Sequence, residues 1–215
     1  MAVIKTGIHG GFRGKVAKVV GYQLNGQDVM RGQPRKRTTP PTARELPNRA
    51  RSKVPQDWSG PITDLLRIGF RDHRPTHQGS VAAKPYNSKH ALKTGDGITL
   101  YIDPSLALVS FGTLEQADTA SVDVSVANQI TINWDKRGSY SYNDHAMVLA
   151  YGIENRKVEF NTAIAKRQMG TATLAISRYT NRNFHVYLAF VTDDRKNRSN
   201  SQYLGEVVVE LIGSR

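Results

Sequence analysis

The chain has 215 residues, with 30 Lys/Arg against 18 Asp/Glu, a formal net charge of +12 and no cysteine. That length suits one domain with an appendage and is enough to bury a sizeable core. Without cysteine there are no disulfides, thiolate metal sites, iron–sulfur clusters or thiol nucleophiles, and apolar runs such as Met147 to Tyr151 are far too short to cross a membrane as a helix.

The first 32 residues are punctuated by glycines at 7, 10, 11, 14, 21, 26 and 32, with Val16, Val19, Val20 and Val29 between them. This predicts a hairpin with strands near residues 15–24 and 28–31. Asn25-Gly26 is a good type I′ turn pair, because both central residues of that turn need positive φ. No apolar h-region follows Met1, since Lys5 comes directly after Ala2, Val3 and Ile4. The expectation is a chain made in, and retained by, a bacterial cytoplasm unless a particle carries it out.

Residues 31–55 carry five prolines, at 34, 40, 41, 47 and 55. Proline removes backbone donors and biases the preceding residue away from helix. From 31 to 53 there are eight cations, namely Arg31, Arg35, Lys36, Arg37, Arg44, Arg49, Arg51 and Lys53, and one Glu. The expectation is an extended basic arm that gains order on a neighbour, and these eight side chains are the candidate contacts to a partner or to nucleic acid. The charge asymmetry agrees: residues 1–75 hold 15 Lys/Arg and 5 Asp/Glu, while the remainder is nearly balanced.

Residues 58–72 predict a helix, with Ser59 as cap, Pro61 in its first turn, and Ile62, Leu65, Leu66, Ile68 and Phe70 as its apolar stripe. A second short helical stretch is expected at 88–93. From 97 onward short apolar runs recur between turn residues, predicting strands at 98–102, 106–111, 121–126, 130–134, 146–151, 171–177, 184–191 and 206–211. Several alternate cleanly, as in Val122, Val124 and Val126, which means one face buried and one wet. The predicted fold is mainly β: an immunoglobulin-like antiparallel β-sandwich over 97–215, a short helical connector over 58–96, and a Gly-rich hairpin plus basic Pro-rich arm over 1–57.

The sequence offers little chemistry. Gly14-Lys15 resembles the end of a phosphate loop, but His9 and Val16 stand where glycine and a hydroxyl are needed. His73 and His77 are four apart, with Pro75 between them arguing against a helix. Asp144-His145 near Ser139 and Ser141 lacks a nucleophile elbow. The run from Asp193 to Arg198 reads as an exposed hairpin loop. No aromatic residue interleaves the arm between Tyr22 and Trp58, so nucleic-acid contact there would be to the backbone only. No catalytic, cofactor or metal residues are assigned, and the expectation is a non-enzyme.

One resemblance adds to this. Gly10-Gly11-Phe12, Gly14-Lys15-Val16, Val19-Val20-Gly21, Gly26, and Arg31 with Pro34, followed by Gly69-Phe70, Tyr86-Asn87, and Ser199, Ser201, Tyr203 and Gly205, resemble an uncharacterised protein family of Bacteroidota and their phages. The likeness covers nearly the whole chain. Leu24 departs from it, since the family often has Trp there. The combination of β-sandwich and basic arm also looks like a tailed-phage ring or portal–tail adaptor protein. That likeness implies a non-enzymatic virion component, with copies of itself and other portal or tail proteins as partners, no membrane, and virion localisation. The alternative expectation is a sequence-independent nucleic-acid binder using the arm.

Overall fold

The computed structural model of the protein describes residues 3–4, 10–24, 26–71, 79–97, 99–177 and 183–210. The chain divides into two compact units, Met1–Glu45 and Leu46–Arg215. The division falls at 45, not at 57, because the helix that opens the second unit begins inside the segment expected to be irregular.

The first unit is a four-stranded antiparallel sheet in sequence order: β1 (Val3–Ile4), β2 (Phe12–Val16), β3 (Val19–Leu24) and β4 (Gln27–Gly32). The strand expected over 15–24 is broken at Ala17-Lys18, whose tight turn puts Val16 opposite Val19. Leu24 pairs with Gln27 across the hairpin that joins β3 to β4. Gly26 has φ +82°, and Asn25 lies outside the described residues. Beyond Gly32 the chain runs through the prolines to residue 42 without helix or strand, bending at Thr39.

Helix α1 (Glu45–Ser59) corrects the arm reading. Its start is signalled by Thr42-Ala43-Arg44-Glu45, half of a capping box. The Glu45 carboxylate reaches back to accept the Thr42 backbone N–H at 3.0 Å. Pro47 falls in the first turn, where no N–H donor is required, so it does not break the helix. α2 (Thr63–Gly69) is shorter than the helix expected over 58–72, but its stripe is as predicted: Ile62, Leu65, Leu66 and Phe70 are fully buried. α3 (Gly79–His90) is longer than the stretch expected at 88–93. His73 and His77 lie outside the described residues.

The rest of the second unit is β: β5 (Leu92–Gly95), β6 (Thr99–Ile102), β7 (Ala120–Asp123), β8 (Gln129–Trp134), β9 (His145–Gly152), β10 (Lys157–Lys166), β11 (Thr171–Ala175), β12 (Asn183–Val191) and β13 (Gln202–Val208). A four-stranded sheet, β10-β9-β12-β13, faces a three-stranded sheet, β11-β8-β7, and every pairing is antiparallel. This is the mainly β sandwich architecture the strand pattern implied. Ile130, Ile132 and Trp134 of β8 and Ala172 and Leu174 of β11 meet Val148 of β9 and Phe184, Val186, Leu188 and Phe190 of β12.

The alternation rule fails instructively in the larger sheet. Every residue of β9 after His145 is buried. Ala146, Val148 and Ala150 face the sandwich, while Met147, Leu149 and Tyr151 pack with Trp58, Ile62, Leu65, Leu66 and Phe70 of the helices. The sheet is thus covered on both faces, so its central strands read as continuous apolar runs rather than alternating ones. β10 went unpredicted because a bulge between Asn161 and Ala165 interrupts its period of two.

One expected strand is something else. Residues 106–111 form no ladder. Their backbone is held by side chains and loops instead, as buried backbone must be. Asn87 donates to Leu108 O and accepts from Leu108 N–H, both at 2.9 Å. Ser201 Oγ accepts from Val109 N–H at 3.0 Å, and Phe111 N–H donates to Gly69 O at 2.9 Å. A Cβ on Gly69 would lie 2.1 Å from Val109 O, so no larger residue fits without moving this segment.

Candidate functional site

The eight cations singled out in the sequence do not form one array. Arg31 sits on β4 with its guanidinium 5.5 Å from the Tyr22 ring. Arg35, Lys36 and Arg44 are exposed on the irregular segment between β4 and α1. Arg37 is engaged within its own unit. It pairs with Glu45 at 2.7 Å and donates to the carbonyls of Thr39 and Pro40. It therefore serves the entry to α1 rather than standing free. Arg49, Arg51 and Lys53 are on α1, in the second unit. At about 100° per residue, Arg49 and Lys53 share one face, whereas Arg51 lies on the stripe of Pro55 and Trp58, at the margin of the core.

That position brings Arg51 to a cleft of about 610 Å³ between α1, α3 and the β5–β6 hairpin. Lys84 and Lys89 of α3 join it there, with the hydroxyl residues Ser52, Ser88 and Thr94 and an apolar floor of Pro85, Leu92 and Leu100. Lys84 Nζ donates to Gln56 Oε1 of α1 at 2.8 Å, which ties α3 to α1. Sequence reading found Arg51 but missed both lysines: Lys84 precedes the helical stretch expected at 88–93, and Lys89, inside that stretch, was not singled out as a candidate.

A second cleft, of about 470 Å³, lies beside Trp58 and Tyr151, with Leu100, Ile102 and Ile153. An ion pair between Asp57 and Arg156 at 3.4 Å stands on its rim. Tyr151 donates to the Trp58 carbonyl at 2.9 Å, and burial pushes its phenol up to about 12. Tyr187 donates to Pro104 O at 2.8 Å, and burial raises it well above its usual range. Both phenols therefore act as fixed donors at neutral pH. His185, also on this cleft, lies 2.9 Å from the Tyr203 hydroxyl through Nδ1. Burial lowers its pKa from the ordinary 6.5, against the opposing charges of Glu206 and Glu154.

The unfolded chain therefore takes up a proton on His185 at higher pH than the folded one. Stability falls as pH drops through 6.5, until the folded imidazole titrates as well. Urea midpoints measured from about pH 8 down to about pH 5 are expected to show this loss, and His185→Gln is expected to flatten it. An unchanged slope in the variant would remove His185 as its source.

The other sequence candidates are taken up by structure. Gly14-Lys15 lies within β2, not ahead of a helix. The Asp144 carboxylate is buried and accepts the backbone N–H of Ser141 at 3.0 Å, while the backbone N–H of Ser139 donates to Glu115 at 2.7 Å. His145 faces Asp193 at 3.9 Å. The loop from 193 is exposed through 197, but Arg198 turns inward and donates to the carbonyls of Ile68 and Arg71 near the end of α2. Among the described residues no cluster of three or more His, Asp or Glu is placed to hold a metal. No helix among them is long and apolar enough to cross a membrane.

Fold and sites together define a helix-backed β-sandwich carrying a separate, basic, Gly-rich sheet. Residues 11–205 match a family described as Family of unknown function (DUF6266), and the chain belongs to it. No curated protein and no solved structure matches the chain. Much of what carried the resemblance in the sequence is structural. Ser199 Oγ accepts Phe190 N–H at 2.9 Å, Ser201 and Asn87 hold segment 106–111, Tyr203 packs on Tyr187, and Gly205 adopts φ +107° at the β12–β13 irregularity.

Proposed function

We propose that this chain is a non-enzymatic assembly subunit whose first unit joins copies of itself. The observation that supports it is a sheet without a core. Of the described side-chain positions in the first unit only Gly21 is buried, while Met30 is 69% and Val16 52% exposed. Register puts Val16 and Val19 opposite each other and Met30 opposite Gly21. Gly14 and Gly32 fall on that same face, where the Phe12 ring lies over Gly21 and the Gln23–Asp28 pair stands toward the β3–β4 turn. A sheet of this size needs further burial to be stable. Among the described residues β4 is also an edge strand, and it leads into the basic Pro-rich segment. Unpaired edges seek another strand, and copies of one chain present the same edge to each other.

The particular form we favour is a ring or adaptor subunit of a tailed-phage particle, at the portal–tail junction, with other virion proteins as neighbours. It rests on the resemblance noted in the sequence and on this division into units.

Light scattering behind size exclusion is expected to show a discrete oligomer that survives high salt. Val16→Glu with Met30→Lys is expected to reduce it to monomer while leaving the thermal melting of the second unit in place. A wild-type monomer at every salt and concentration, in a chain that mass spectrometry also fails to find in purified particles, would overturn the proposal.

A further inference from the structure

We propose that the cleft between α1, α3 and the β5–β6 hairpin binds the phosphodiester backbone of a nucleic acid. This goes beyond the assembly role and uses different residues. Three cations, Arg51, Lys84 and Lys89, line the cleft, and among the described residues no carboxylate lines it. None of the three takes part in an ion pair among the described residues. Lys84 is half-buried, and its acceptor among the described residues is the neutral Gln56 amide, which holds the ammonium in place without cancelling its charge.

Unneutralised cations this close together repel one another, and a bound anion relieves that repulsion. Three hydroxyl residues, Ser52, Ser88 and Thr94, stand among them. Hydroxyls donate to phosphate oxygens alongside Lys and Arg in backbone recognition. The volume of about 610 Å³ lies in the ordinary range of ligand clefts and exceeds a single phosphate. Among the described residues no aromatic side chain lines the cleft to offer bases a stacking surface. The reading is therefore of phosphates along a strand, independent of sequence.

The test is fluorescence anisotropy of the full-length protein with a labelled oligothymidine of about 20 nucleotides, titrated with salt. Binding is expected at low salt. Lys84→Gln with Lys89→Gln, chosen to spare the fold and checked by circular dichroism, is expected to weaken it about tenfold or more and to lower the salt slope by about 2. Arg51→Gln adds a further loss. Arg35→Gln with Lys36→Gln, in the extended segment, is expected to change the affinity less than the cleft variant does. Unchanged affinity in the cleft variant, or loss confined to the Arg35/Lys36 variant, overturns the proposal. So does full displacement by inorganic phosphate with no dependence on oligonucleotide length, which would assign the cleft to a free phosphate ligand. The Val16→Glu, Met30→Lys variant keeps this experiment separate from the assembly reading: cleft binding is expected to survive in it.

Discussion

Replacing Arg167 by alanine is expected to lower the free energy of unfolding by about 3–5 kcal/mol, a large share of what holds a domain of this kind together. Arg167 opens a 3-10 turn, Arg167–Met169, after β10, and is fully buried. Its guanidinium lies between two rings, 4.2 Å from the centroid of Phe190 and 4.6 Å from that of Tyr140. It donates to the carbonyls of Glu115 at 2.8 Å and Gln116 at 3.2 Å, so it ties the segment before β7 to the end of β10. The backbone is bound in as well: Arg167 O accepts from the Trp134 indole at 2.7 Å, and Arg167 N–H donates to Asp144 O at 2.7 Å. Burial lowers the guanidinium pKa, and the negative charge of Asp144 does most to oppose it. Alanine would take the donor from two carbonyls, remove the guanidinium charge that acts on the buried Asp144 carboxylate, and leave a cavity between the rings. Arg167→Lys keeps the charge but not the planar fork or the stacking, so an intermediate loss is expected. Urea unfolding checks the series. A loss under about 1 kcal/mol for the alanine variant would mean that the loop over 135–144 closes without the arginine.

How far this fold was legible in the sequence depends on what hid each element. The three-stranded sheet was readable because β8 and β11 are wet on one face, so Ile130, Ile132 and Trp134 alternate with polar neighbours. The apolar runs of β9 and β12 were found as strands, but their second partner layer, the helices, was not foreseen. α1 was obscured by Pro47 and Pro55, which read as breakers although one sits in the first turn and the other is tolerated inside the helix. The signal that could have found it, Thr42 three residues before Glu45, was in plain view. The candidate sites were less legible still. A run of eight cations looked like one arm, yet Arg37 is used locally, and Arg49, Arg51 and Lys53 divide between helix faces. The lysines that meet Arg51 come from another helix, and only folding brings them there.

Asn87 gives the second large effect, and a test that separates hydrogen bonding from simple packing. The residue is fully buried on α3 and completes both backbone bonds of Leu108. Asn87→Ala removes a donor and an acceptor together. With about 1–3 kcal/mol for each buried group left unpaired, a loss of about 3–5 kcal/mol is expected. Asn87→Asp is nearly the same shape. At neutral pH its carboxylate still accepts from Leu108 N–H, but it cannot donate to Leu108 O and it places a charge in the core. When protonated, its O–H can donate, and the original pairing returns. Desolvation raises the folded-state pKa of such an acid above that of the unfolded chain, so the folded state binds the proton more tightly. The stability of this variant should therefore rise toward wild type as the pH falls through the folded pKa, the opposite direction to the His185 effect. Guanidinium midpoints of wild type and variant, compared across that range, give the answer. A gap that stays constant with pH would mean that the lost stability comes from displaced packing around segment 106–111 and not from the missing donor.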